Sequence, residues 1–85
     1  MQLIIYTWYR MKTKYLAIYI QNKAIGSHDC DKVSEARSIL NEKSKNPNIV
    51  PIAIIDAETY KVMQYNKKLD KVYCKQILRE WKEKD

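Results

Sequence analysis

A single glycine, Gly26, serves the whole 85-residue chain. That scarcity excludes the glycine-rich loops that cradle phosphates and the GxSxG turn that presents a hydrolase serine. Thiol and imidazole ligands are nearly as sparse: Cys30 and Cys74 are the only cysteines and His28 the only histidine. A tetrahedral zinc site needs several such ligands at short spacings, and no CxxC or second histidine supplies them. We therefore expect no metal and no cofactor. Phenylalanine is absent, and no apolar run approaches the roughly 20 residues that cross a bilayer. The first ten residues, MQLIIYTWYR, lack the basic start, long apolar centre and small-residue cleavage site of a signal peptide. Two free thiols and no membrane segment together give an expected cytoplasmic location.

Acidic residues are missing from one third of the chain. Residues 1–28 carry four basic and no acidic groups, residues 29–56 four basic and five acidic, and residues 57–85 eight basic and five acidic. The formal net charge of +6 thus comes from the outer thirds. A basic surface suits a polyanionic partner or simple solubility. Only Arg10, Arg37 and Arg79 are arginine, and arginine does most base-edge and phosphate-fork work. The lean towards Ile, Lys, Tyr and Asn matches an AT-rich coding sequence, as in a low-GC bacterium or its phage.

What is present is a single small domain, residues 1–85, with one modest core. Its organising stretch is Ile49–Ile55, the longest apolar run, too β-branched to prefer a helix. It reads as a central strand, with Pro51 as its difficulty because proline donates no ladder hydrogen bond. Pro51 is tolerable at an edge or bulge, so pairing is expected to be firmest at Ile52–Ile55. Ahead of it, Leu3–Tyr9 reads as a β-branched and aromatic strand. Met11 could serve as an alternative start, which would make residues 1–10 a dispensable extra strand.

Tyr15–Gln21 alternates, Leu16, Ile18 and Ile20 against Tyr15, Ala17 and Tyr19. Asn22-Lys23 is a tight turn, and Ala24–His28 returns as a short strand with Gly26 at a bulge. A helix follows, with Asp31 as its expected cap and Val33, Ala36, Ile39 and Leu40 at helical spacing, ending at Asn46-Pro47. After the central strand, Asp56–Tyr60 is a hairpin loop and Lys61–Tyr65 its partner strand. A second helix is expected from Lys67 to Lys84, capped by Asn66, with Leu69, Val72, Tyr73, Ile77 and Trp81 as its apolar stripe. The order hairpin, helix, hairpin, helix hints at an internal duplication. It gives an α+β fold, β-ββα-ββα, with a four- or five-stranded antiparallel sheet and both helices mainly on one face.

With both helices on the Leu16–Ile18–Ile20 face, the other face would be open and rich in tyrosine. Tyr6, Trp8, Arg10, Tyr15 and Tyr19 are then the expected binding residues, flanked by Lys12, Lys14 and Lys61. Such a face suits a non-catalytic interaction module that docks a protein partner or its own copy through aromatic anchors and a lysine rim. The alternative is single-stranded nucleic acid stacking on the same rings. A third reading is a small enzyme. Cys30 could act as nucleophile with His28 as base. Alternatively, Asp29, Asp31, Asp56 and Glu58 could hold magnesium, provided that their two loops meet. Asp56 is more simply a loop starter accepting backbone N–H bonds.

Overall fold

A computed structural model describes residues 14–84. The elements run β1 (Tyr15–Gln21), β2 (Ala24–Cys30), α1 (Val33–Lys43), β3 (Ile49–Asp56), β4 (Val62–Tyr65) and α2 (Lys71–Lys84). The four strands form one sheet in the order β2-β1-β3-β4, antiparallel at every pairing. The fold is therefore α+β, a four-stranded antiparallel sheet with two helices. The strand expected at Leu3–Tyr9 lies outside the described residues. Among those described, no helix is long and apolar enough to cross a membrane.

The turn between β1 and β2 is as tight as its residues allow. Asn22 and Lys23 sit at φ of 51° and 71°, two consecutive left-handed residues of the kind that match the twist of a hairpin. Gln21 pairs with Ala24 directly across it. In β3, the register against β1 slips between Ile18 and Tyr19, so that Ala53 faces Ile18 and Pro51 faces Tyr19. Ile52 is the extra residue of this bulge, and the proline sits beside it. Pairing with β1 nevertheless resumes through Val50 and Ile49, so this half of the strand is not frayed on that side. On the other side β4 pairs only from Ala53 onward, and there the strand is an edge.

The helices lie on opposite faces of the sheet, not on one. Ile18, Ile52, Ala53 and Ile55 pack against Cys74 and Leu78 of α2, with Leu16, Ile20, Ile77 and Trp81 around them. Ala17, Ile54 and Cys30 pack against Ala36 and Leu40 of α1, with Tyr15, Tyr19, Val33 and Ile39 around them. Both side-chain parities of the central strands are thus buried. The hairpin–helix order repeats, but the two units place their helices on opposite sides. A two-fold rotation normal to the sheet would put both on the same side, so it does not relate them.

Three local expectations change. The apolar stripe of α2 is rotated: Cys74 and Leu78 are buried, whereas Val72 is 70% and Tyr73 42% exposed. Lys32, not Asp31, occupies the cap position of α1, without a side-chain bond; the Glu35 carboxylate instead reaches back to the Asp31 N–H at 3.2 Å. The second helix starts at Lys71, because Asn66 is committed to β3, and Asp70 Oδ1 accepts the Val72 N–H at 3.1 Å in its place.

Two substitutions test these backbone arguments. Lys23→Gly removes the steric cost of a left-handed lysine and should stabilise the fold by about 1 kcal/mol, read as a higher urea midpoint. Gly26 lies opposite Tyr19, and a Cβ added there would stand 2.8 Å from Cε2 and Cζ of that ring. Gly26→Val should therefore destabilise by about 1–3 kcal/mol. An unchanged midpoint would mean that the ring swings aside freely.

Candidate functional site

The expected open tyrosine face is the face that α1 covers. Tyr15 and Tyr19 are half-buried against it. The Tyr19 ring lies over the backbone of Gly26, which the missing side chain permits, and Lys43 Nζ of α1 stands 4.5 Å from its centroid. A lysine over a tyrosine face is attracted by the ring quadrupole, so this ring is held between strand and helix. Tyr6, Trp8, Arg10 and Lys12 lie outside the described residues. Lys14 immediately precedes β1, its carbonyl accepting the Ala57 N–H at 2.9 Å.

The enzyme readings come together only in part. His28 and Cys30 share the α1 side of β2, opposite Ala17 and Tyr15. Cys30 is buried, however, while His28 is exposed, and the thiol is 3.5 Å from the His28 carbonyl, not its imidazole. Burial pushes the Cys30 thiol up from its ordinary value, and the neighbouring carboxylates of Glu35, Asp29 and Asp31 push it further. A nucleophile needs the opposite shift. Cys74 belongs to the cluster on the other face of the sheet, and burial raises its thiol as well. The two cysteines are free and do not meet.

The two acidic loops do share one end of the sheet. Tyr15 pairs with Cys30 on one side and with Asp56 on the other, so β1 separates the loops by two strand spacings, about 10 Å. Among the described residues no three His, Cys, Asp or Glu side chains gather as a metal site. Asp56 Oδ1 is occupied by the N–H groups of Glu58 at 2.8 Å and Thr59 at 3.1 Å, the loop-starting role its sequence position suggests.

Among the described residues a concave feature lies elsewhere, between α1 and β4. Val33, Ala36 and Leu40 turn to the sheet, which puts Arg37, Asn41 and Ser44 on the flank that overlooks β4. Because β4 stops at Tyr65, no described strand pairs with β3 beyond Ala53 on that side. The result is a groove of about 340 Å³ over Leu40 and residues 51–54, in which Pro51 is half-buried, Leu40 shows an edge, and Ile52, Ala53 and Ile54 are almost wholly buried. Gln64, Asn66, Lys67 and Lys68 form its far wall.

Asn66 builds that wall. Its N–H bonds the Ile52 carbonyl at 2.9 Å, its Nδ2 the Pro51 carbonyl at 2.7 Å, and its Oδ1 accepts the Lys68 N–H at 3.0 Å. Lys67 and Lys68 are thereby held at the rim. Across from them, Arg37 donates from Nε at 3.3 Å and Nη2 at 2.9 Å to Gln64 Oε1. Two of its five donors are engaged by a neutral oxygen, and among the described residues the charge itself meets no acid. Among the described residues no carboxylate lines the groove.

Sequence reasoning missed this site. Its one legible trace was Lys67-Lys68 ahead of a helix whose positive end repels them. Arg37 reads in sequence as an ordinary solvent-facing residue. Comparison with protein-family models, with curated proteins and with solved structures returned no match to this chain.

Buried thiols on opposite faces give a direct prediction. Iodoacetamide at neutral pH should alkylate both cysteines slowly in the native protein and rapidly in urea. Each thiol keeps its proton further up the pH scale when folded than when unfolded, where its ordinary value is 9.0. Their contribution to stability is therefore full below pH 9 and lost as pH climbs through the raised folded values. A urea midpoint that rose between pH 8.5 and 10 in the wild type, relative to Cys30→Ala and Cys74→Ala variants, would contradict this.

Proposed function

We propose that this protein is a non-catalytic interaction module of the cytoplasm that docks a protein partner through the groove between α1 and β4. One observation carries the reading: Arg37, Lys67 and Lys68 surround a floor whose aliphatic surface is Pro51 and the edge of Leu40, with no carboxylate among the described residues that line it. A small number of placed polar groups over an apolar concavity is the usual composition of a recognition site. Charges at the rim steer encounter and fix orientation, while the floor contributes the buried area. The two buried free thiols fit a reducing compartment.

Nucleic acid is the weaker occupant. Sequence-tolerant binding of single strands rests on rings that stack bases. Among the described residues the one ring at this groove, Tyr65, belongs to the α2 side of the sheet, with Lys71 Nζ 5.3 Å from its centroid.

Peptide-phage selection on the immobilised protein tests the proposal, with the triple variant Arg37→Glu, Lys67→Glu, Lys68→Glu as control. All three side chains are exposed, so the variant should fold with an unchanged thermal midpoint. Selection should enrich peptides on the wild type and lose that enrichment on the variant. Equal enrichment on both would overturn the groove as docking surface. Binding of a fluorescent oligo-dT that falls steeply with salt, and disappears in the triple variant, would move the assignment to nucleic acid.

A further inference from the structure

We infer that the segment received by this groove is extended and acidic, with an aliphatic anchor on the floor between carboxylates that reach Arg37 on one wall and Lys67 and Lys68 on the other. This rests on the groove being the docking surface and goes further by naming the chemistry of its occupant. Charge is the first argument. Among the described residues three cations face the opening and no acid lines it, and the Arg37 guanidinium is braced across the groove by Gln64. An arginine so held presents its remaining donors in a fixed fork, which matches a carboxylate.

Size is the second argument. A docked helix lays down anchors at i, i+3, i+4 and i+7 over two turns, more than a groove of about 340 Å³ receives when Pro51 and the edge of Leu40 are its aliphatic surface. An extended chain needs to insert only alternate side chains. The aliphatic surface open to it is that of Pro51 and the edge of Leu40, Ile54 being almost wholly buried beneath them. Recognition falls to side chains and not to a shared ladder. β4 spans only four residues and carries a register shift opposite Ile54 and Ile55, and a short, bulged edge is a poor template for strand addition.

A second copy of the chain is a poorer fit. Its acidic loop at Asp56 is tied into its own backbone, and Asp29 lies within β2.

The test uses a seven-residue peptide of one leucine flanked on each side by two glutamates, capped by glycines, titrated into the 15N-labelled protein. Amide shifts should concentrate on α1 from Arg37 to Ser44 and on Gln64 to Lys68. Replacing the peptide's leucine by alanine should weaken binding at least threefold. Arg37→Glu, and separately Lys67→Glu with Lys68→Glu, should weaken it at least tenfold. A peptide with lysines in place of the glutamates should not bind. Phage selection that returns neutral or basic groove binders, while the acidic peptide fails, would overturn the acidic class and leave the groove standing. Failure of every peptide at the groove would remove both. Self-association in sedimentation that the same charge reversals abolish would overturn the inference in favour of a second copy.

Discussion

The rest of the structure depends on the central strand pair, β1 and β3, being apolar on both sides. Ile18, Ile52 and Ile55 on one face, and Ala17 and Ile54 on the other, are each at most 1% exposed. At roughly 25 cal/mol per Å² of apolar surface removed from water, neither face can be left open at little cost. The described residues offer two helices, and one goes to each side. The placement of α1 over the tyrosine side is thus a consequence of β3: its Ile54 faces that way opposite Ala17, and a single covered face would have left it in water.

Small residues make the α1 side workable. Ala17 and Ala36 are both fully buried, and short side chains let helix and strand approach closely. Tyr15 and Tyr19 then flank the contact as large rings with a polar tip, a shape suited to half-burial. Gly26 completes the arrangement by giving the Tyr19 ring a flat backbone to lie on. What resembled an array of binding rings is, for these two residues, the margin of a core.

Pro51 links the core to the candidate site. Proline leaves a gap in the ladder, the bulge at Ile52 absorbs it, and β4 ends where it would otherwise have had to pair with the proline. Asn66 bonds the carbonyls of Pro51 and Ile52 and turns the chain away, which opens the groove and sets Lys67 and Lys68 on its rim. A residue that looked like a defect of the central strand is what creates the concavity. The same commitment of Asn66 explains why α2 begins four residues later than periodicity alone suggests.

Local chemistry determined much by itself. The strands at Tyr15, Ala24, Ile49 and Val62, the Asn22-Lys23 turn, the Asp56 loop and the α+β class all follow from alternation, β-branching and turn residues, because these act over a few neighbours. Tertiary structure alone decided which face each helix covers, since a run apolar on both parities, as Ile49–Ile55 is, carries no preference for either side. It also decided the site. Arg37, Gln64 and Lys68 are separated by up to 31 positions, and only the sheet order and the early end of β4 bring them around one floor.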